Sequence, residues 1–176
     1  MQLTRWRRAG LRRAGVRRAA VLLAAAGMAA AGTVAAGGGQ AQAASGPNAS
    51  GRCPTTMGRI ACVDLTRQRM WVQDGTQVVF GPVPVRTGRR GYVTRTGLWH
   101  VYWRDLHHRS SLYGGIPMPY SQFFSGGEAF HSVDEPMSTP PGSHGCVNMT
   151  SRDARRLWGV LRLHDPVEIF GRKPGT

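Results

Sequence analysis

Ser143-His144-Gly145-Cys146-Val147-Asn148 is the stretch of this chain that says most about its fold and chemistry. His131 lies fifteen positions before Cys146, and Pro140-Pro141-Gly142 lies between them and can turn the chain back. A strand is predicted to end near His131, so a rigid element would hold the imidazole. The pattern predicts a thiol nucleophile at Cys146 with His131 as its general acid and base.

The residues beside the thiol have supporting roles in this interpretation. Gly145 lets the backbone approach a substrate closely, so that successive N–H groups point at a developing oxyanion. His144 is interpreted as holding the loop or tuning the site, because adjacent side chains often point apart. An alternative is that His131, His144 and Cys146 ligate zinc. We disfavour it because the sequence supplies no clear fourth ligand, and we predict no metal or other cofactor.

The first 43 residues differ in composition from the rest of the chain. They contain seven arginines and no acidic residue, followed by an apolar stretch of 18 residues from Ala19 to Ala36 and by Ala41-Gln42-Ala43. This order is typical of a signal peptide cleaved before Ala44. The alternative is a retained membrane anchor, since 18 apolar residues are just long enough to span a bilayer. The Arg17-Arg18 pair leaves a twin-arginine export route open.

The net charge of the chain falls when the leader is set aside. The whole chain is +14, whereas the predicted mature domain keeps 16 of the 23 basic residues against 9 acidic ones, a charge of +7. A moderately basic exported domain is attracted to anionic polymers of the cell wall. No recognised nucleic-acid-binding motif accompanies the scattered arginines, so we predict no nucleic-acid partner.

Three cysteines cannot all pair within one exported chain. Cys53 and Cys62 are nine positions apart, and Pro54 and Gly58 between them can bring the chain back within bonding reach. We predict a Cys53–Cys62 disulfide, which leaves Cys146 as the free thiol. The alternative is that both remain unpaired, with one buried as a small apolar residue.

The sequence beyond the leader predicts one mainly β domain with about six short strands. The Asp74-Gly75 pair is a hairpin signal between the second and third strands. A single helix is predicted to begin at Thr150 and to end near Leu163 to Asp165. The Thr150 side chain can cap its N-terminus, and the Asp153 side chain can bond back to the cap residue. The helix N-terminus is expected to favour a thiolate at Cys146. The strand expectations are Arg59–Asp64, Arg69–Gln73, Gln77–Val85, Leu98–Trp103, Ala129–Val133 and Val167–Phe170.

A segment without clear periodicity runs from Arg104 to Gly127 and is predicted to be a long functional loop. Phe123 and Phe124 are expected to pack in the core. Met118 and Tyr120, on either side of Pro119, are candidates for a pocket wall.

The Cys146 motif preceded by His131 resembles the signature of the L,D-transpeptidases, the YkuD-type catalytic domain. Ile60 to Val72 is similar to the opening hairpin of that family, and Tyr113-Gly114-Gly115 with Met118-Pro119-Tyr120 to its substrate flap. Val93 and Arg95 stand where the family usually has prolines, a difference interpreted as affecting a loop and not the chemistry. The resemblance implies a single mainly β sandwich or barrel of about six or more short strands, with one helix after the catalytic cysteine.

The same resemblance implies a reaction on peptidoglycan stem tetrapeptides. Cys146 attacks the carbonyl of the third residue, D-alanine leaves with a proton from His131, and an amine of a second stem resolves the thioester to give a 3→3 cross-link. Water in place of the amine gives L,D-carboxypeptidase activity. Carbapenem acylation of the cysteine is expected. The implied oxyanion hole is the backbone N–H groups of residues 144–146, and the residues implied near the substrate are Met118, Tyr120, Ser132, Ser143 and Asn148.

Other classes fit the sequence less well. Cell-wall peptidases with a Cys–His pair place the cysteine first, and sortases follow the cysteine with an arginine. A non-catalytic wall-binding module remains a third alternative. The domain prediction is a signal peptide at 1–43, a linker at 44–56, the catalytic domain at 57–172 and a tail at 173–176. We expect a monomeric protein of the cell envelope or outside, without membrane attachment after cleavage of the leader.

Overall fold

The computed structural model describes residues 46–176. The predicted signal peptide and the first two residues of the predicted linker lie outside the described residues. Within residues 46–176, no helix has the length and apolar character needed to cross a membrane.

The described chain forms nine strands in two sheets and one helix, which confirms the mainly β prediction. The elements are β1 Arg59–Asp64, β2 Arg69–Asp74, β3 Gln77–Pro84, β4 Gly97–His100, β5 Trp103–Asp105, β6 Ser121–Ser125, β7 Glu128–Ser132, β8 Val147–Met149, α1 Ser151–Val160 and β9 Pro166–Phe170. The first sheet has the order β3-β2-β1-β9-β4, and the second has the order β5-β6-β7-β8. Two pairs are parallel, β1 with β9 and β7 with β8.

Strand β1 is buried on both faces, so its sequence is apolar without alternation. Ala61 and Val63 face the main core, which the second sheet and α1 complete. Ile60 and Cys62 face the other side, where they form a smaller apolar cluster with Trp71, Phe170 and Cys53. The Cys53–Cys62 disulfide is present, as predicted, and fastens the segment before β1 over this outer face.

Helix α1 begins as predicted and ends earlier than predicted. Thr150 is the N-cap: its hydroxyl accepts a hydrogen bond from the Asp153 N–H at 3.1 Å and donates one to the Asp153 carboxylate at 2.8 Å. The helix stops at Val160, three residues short of the predicted end. The expectation was wrong because Asp165 accepts the Arg162 N–H at 2.8 Å and His164 has a φ of 70°, which together make a turn instead of another helical turn.

Three of the observed strands, β5, β6 and β8, were not predicted as separate strands. The expected strand Leu98–Trp103 is two strands, because the chain crosses from the first sheet to the second at the buried Val101. Strand β6 lies inside the predicted loop, which shortens the irregular segment to residues 106–120 and places Phe123 and Phe124 in the packed interior, as expected. Strand β8 is only three residues long and follows Cys146 directly.

We expect the double substitution Cys53→Ala/Cys62→Ala to lower the free energy of unfolding by about 2–3 kcal/mol, because it removes a cross-link that closes a short loop in the unfolded chain. Urea denaturation of the two proteins measures the difference. Reductant should destabilise the wild-type domain and leave the double variant unchanged. Equal midpoints without reductant would contradict the prediction.

Candidate active site

The pairing of β7 with β8 places Cys146 and His131 on the same face of the second sheet. His131 lies opposite Asn148 in this parallel pair, while the neighbouring Phe130 and Val147 face the main core. Cys146 comes directly before β8, and it packs with Met118, Phe123 and Ala129. Because Ala129 and His131 are two residues apart on one strand, their side chains share a face. The predicted nucleophile and base are therefore diagonal neighbours across two strands.

His131 is buried and has a defined tautomer. Its Nδ1 lies 2.9 Å from the Ser132 carbonyl oxygen, so Nδ1–H donates to that oxygen. Its Nε2 then carries the lone pair and accepts a hydrogen bond from Asn148 Nδ2 at 2.7 Å. Burial is the main reason that the pKa of His131 is lowered to about 4; the hydrogen bond with the Ser132 carbonyl opposes this change, and the charges of Arg86 and His108 add to it. The imidazole is therefore neutral at neutral pH, and its Nε2 lone pair is held by the Asn148 amide.

Arg86 fixes the orientation of the Asn148 amide. Its Nη2 donates to Asn148 Oδ1 at 3.2 Å and forms an ion pair with Glu135 at 2.5 Å. Backbone hydrogen bonds in both directions join Arg86 and Asn148, at 2.9 and 3.0 Å. Because Asn148 Oδ1 is occupied, Nδ2 must face His131. The chain of contacts from Glu135 to His131 thus holds the imidazole ready for proton transfer.

The Cys146 thiol is partly buried and is the cysteine without a disulfide in the described chain. Burial is the main reason that its pKa is raised to about 11; a hydrogen bond with the Ala129 backbone opposes this increase, and the charge of Glu128 adds to it. Burial thus opposes the thiolate that the N-terminus of α1 was expected to favour, and β8 separates Cys146 from the start of α1. Among the described residues, no hydrogen bond joins the thiol to His131; its Sγ lies 3.8 Å from the Gly127 carbonyl oxygen.

Hydrogen bonds to both sides hold the loop that carries the thiol. Ser143 Oγ donates to the Cys146 carbonyl oxygen at 2.5 Å and accepts the Gly145 N–H at 3.1 Å. Thr94 Oγ1 donates to the Gly145 carbonyl oxygen at 2.8 Å. Gly145 has a φ of 110°, which side-chain-bearing residues rarely adopt, so glycine is needed here.

These bonds limit which groups can stabilise an oxyanion. The Gly145 N–H is already donated to Ser143, although the sequence had suggested it for this role. Within residues 46–176, the N–H groups of His144 and Cys146 have no hydrogen-bond acceptor. They are the backbone donors that the loop leaves free for a developing negative charge.

His144 belongs to a cluster at the mouth of the site. Its ring stacks on Tyr113 with centroids 4.4 Å apart and meets the edge of Tyr92 at 4.5 Å. Arg89 contacts its Nε2 and lies over the Tyr92 ring. Desolvation lowers the pKa of His144, with a further contribution from Arg89. This arrangement joins the Tyr113 segment to the Cys loop, and the scaffold role of His144 stays a prediction.

The other residues expected near the substrate have different positions. Met118 packs in the cluster that contains Cys146. The Tyr120 ring contacts α1, where it meets Trp158 and accepts a hydrogen bond from Arg155 at 3.1 Å, so its place in the pocket wall stays a prediction. Ser132 contributes its backbone carbonyl to His131, and its own side chain is buried.

Three residues at the site were not identified from the sequence: Arg86, Thr94 and Glu128. None lies in the cysteine motif, and only the strand pairing brings them to it. Arg95 was interpreted as a loop residue without a part in the chemistry. The structure places Arg95 outside the strands, as this interpretation has it, and its Nε donates to Glu128 at 3.2 Å, whose carboxylate packs against Gly145.

Metal ligands are not grouped in the part of the chain that the structure describes. No cluster of three or more His, Cys, Asp or Glu side chains that could hold a metal ion occurs among residues 46–176.

Comparison with known proteins gives one family. A family model described as the L,D-transpeptidase catalytic domain, YkuD, matches residues 58–169. The chain is similar to the crystal structure of an L,D-transpeptidase (Yku) from Stackebrandtia nassauensis, with 38% identity, a TM-score of 0.68 and coverage of 72% of this chain and 62% of that one. No match was found among curated proteins.

More distant structures share the fold. An Enterococcus faecium L,D-transpeptidase has 22% identity and a TM-score of 0.58 over 64% of this chain and 50% of that one. An L,D-transpeptidase solved in complex with imipenem has 18% identity and a TM-score of 0.56 over 64% of this chain and 58% of that one. This chain spans 50% to 62% of the length of these three proteins.

We expect His131 to make folding stability depend on pH below neutrality. Its pKa falls from 6.5 to about 4 on folding, so the unfolded chain binds more protons in this range. The stability that the neutral ring contributes is complete above pH 6.5 and is lost as the pH falls to about 4, a change of about 3 kcal/mol. Urea denaturation between pH 4 and pH 7 should show this loss in the wild type.

A comparison of the wild type with His131→Gln separates the contribution of the His131 ring to stability from the contributions of the carboxylates. The difference in unfolding free energy between the two proteins should change across that pH range. A constant difference for His131→Gln would show that the ring is not held neutral by burial.

Proposed function

Because this chain belongs to the family of YkuD L,D-transpeptidase catalytic domains, we propose that it is a peptidoglycan L,D-transpeptidase with Cys146 as its nucleophile. The observation that carries the proposal is the pair of side chains on one face of β7 and β8. A free thiol lies diagonal to a neutral imidazole whose lone pair is at Nε2. This is the arrangement that thiol acyl transfer requires.

The first half of the reaction forms a thioester. His131 Nε2 leaves its hydrogen bond with Asn148 and takes the thiol proton, while Sγ bonds to the carbonyl carbon of the third residue of a stem tetrapeptide. The bond from this carbon to the nitrogen of D-alanine then breaks, and the imidazolium returns the proton to the departing amine. Hydrogen bonds to the base often tighten only when substrate is bound, so the separation of thiol and ring in the free protein is compatible with this step.

The second half transfers the acyl group to an amine. The side-chain amine of a second stem attacks the thioester, its proton passes to His131 Nε2, and the C–S bond breaks. The thiolate recovers this proton, and a 3→3 cross-link remains. Water in place of the amine would release a tripeptide, which is L,D-carboxypeptidase activity. In both halves the N–H groups of His144 and Cys146 stabilise the tetrahedral oxyanion.

Neutral resting groups suit this chemistry in a buried site. The pKa of the Cys146 thiol is raised to about 11 and that of His131 is lowered to about 4, so the resting pair carries no charge. Charge appears only as the proton moves and the oxyanion forms, where the backbone N–H groups oppose it. Catalysis of this kind stabilises the transition state more than the ground state.

An envelope location accompanies the proposed activity. Peptidoglycan stems lie outside the cytoplasm, and the Cys53–Cys62 disulfide is typical of an oxidising compartment. We propose that residues 1–43 direct export, that the catalytic domain is 57–172 after a linker at 44–56 and before a tail at 173–176, and that the mature protein acts as a monomer. Met118, Ser143, Asn148, Ser132 and Tyr120 are proposed to adjoin the bound stem.

The proposed nucleophile can be tested by intact mass spectrometry. We expect a tetrapeptide donor and the carbapenem imipenem each to give a covalent adduct on the wild-type protein, as the imipenem complex of a distant family member suggests. Peptide mapping should place it on Cys146, because the other two cysteines are bonded to each other. Cys146→Ala should form no adduct.

Product analysis separates the remaining alternatives. Chromatography of tetrapeptide reactions should show D-alanine and a cross-linked dimer, with both absent for Cys146→Ala. D-alanine and tripeptide without dimer would identify a carboxypeptidase. Folded, reduced wild-type protein that forms neither adduct nor product, yet sediments with peptidoglycan, would replace the proposal with a wall-binding module; adducts only with a sortase-type sorting peptide would replace it with a sortase-like enzyme.

A further inference from the structure

A buried carboxylate lies against the loop that carries Cys146. Glu128, the first residue of β7, is 8% exposed, and it packs directly on Gly145. A Cβ added to Gly145 would come within 2.9 Å of Glu128 Oε1. Desolvation raises the pKa of Glu128, and the charge of Glu128 in turn raises the pKa of the Cys146 thiol. Left alone, this carboxylate would oppose the negative charge that the thiol must acquire.

Arg95 provides three hydrogen bonds that compensate the carboxylate and anchor the guanidinium. Its backbone N–H donates to Glu128 Oε2 at 3.2 Å, and its Nε donates to Glu128 Oε1 at the same distance. Its Nη2 donates to the Ser125 carbonyl oxygen at 2.7 Å. Arg95 and Glu128 are therefore a matched pair in this chain.

The charged and titratable groups around the thiol come from three directions. Strand β7 supplies Glu128 and the neutral His131, and the Cys loop supplies His144, which Arg89 contacts. The segment before β4 supplies Arg95, behind Glu128. Of these groups, Glu128 is the one whose charge acts on the thiol directly, and Arg95 is the one that balances Glu128.

We propose that Arg95 is a positioning residue for the reaction: it holds Glu128 as an ion pair against Gly145, which fixes the Cys loop and weakens the opposition of the carboxylate charge to formation of the Cys146 thiolate. The inference rests on the proposed function, because it assumes that Cys146 is the nucleophile. Arg95 acts through Glu128 and requires no contact with the substrate.

Alkylation of Cys146 by iodoacetamide tests the proposal without substrate. The rate between pH 6 and pH 10.5 reports the thiolate fraction of this free thiol. Arg95→Met keeps the backbone N–H and the aliphatic stem but removes the cation, so we expect alkylation at pH 8 to slow by roughly threefold to tenfold. Glu128→Gln should accelerate it, and the double variant should return close to the wild-type rate.

The order of these rates distinguishes an electrostatic role from loss of structure. A loosened loop would change both single variants in the same direction and the double variant further, which would overturn the proposal. A wild-type rate in Arg95→Met, or a double variant as slow as Arg95→Met, would also overturn it. Arg90→Met, which removes an exposed cation of the same segment, should match the wild type. If Arg95→Met does not fold, Arg95→Lys and Glu128→Gln carry the test: the proposal requires a near-wild-type rate in the first and a faster rate in the second.

The proposed function and the role of Arg95 are tested by different measurements, so either can fail without the other. Absence of wild-type adducts with tetrapeptide and with imipenem would remove the transpeptidase assignment whatever the alkylation rates are. Normal adducts together with equal alkylation rates in all variants would keep the assignment and remove the role of Arg95.

Discussion

The parallel pairing of β7 with β8 is the constraint on which the whole site depends. It brings Asn148 opposite His131 and leaves Cys146 beside Ala129, so two side chains fifteen positions apart share one face of a sheet. The opposite faces of the same strands carry Phe130, Val147 and Met149 into the main core. A shift of this register by one residue would place the thiol in the core and the apolar side chains in the site. Packing of the core thus secures the geometry of the site.

Burial in this fold has an electrostatic consequence that shapes the chemistry. The strands that align Cys146 and His131 also remove them from water, which raises the pKa of the thiol and lowers that of the imidazole. A preformed thiolate–imidazolium pair is therefore disfavoured. The surrounding polar groups hold the neutral side chains and the Cys loop in position. Arg86 and Asn148 orient the imidazole, Thr94 and Ser143 orient the Cys loop, and Arg95 balances Glu128.

Local patterns in the sequence predicted much of the fold and the centre of the site. The hairpin at Asp74-Gly75, the cap at Thr150 and the Cys53–Cys62 disulfide depend on residues close together in the chain, and all three were found. The errors concern contacts outside the segment from which each prediction was made. The end of α1 depends on a side chain of the following turn, and the division of Leu98–Trp103 into two strands depends on where Val101 is buried. The hydrophobic periodicity within a segment shows neither the contact that ends α1 nor the burial of Val101.

The sequence by itself determined which residue types the proposed reaction would use, because a cysteine in a Ser-His-Gly-Cys run after a histidine can be recognised without coordinates. Only the tertiary structure decided which groups surround that pair. Arg86, Thr94, Arg95 and Glu128 lie 18 to 60 positions from Cys146 in the chain, and nothing in their local patterns assigned them to the site. Their roles follow from hydrogen bonds and charges that act over a few ångströms, so they exist only once the two sheets have brought these residues together.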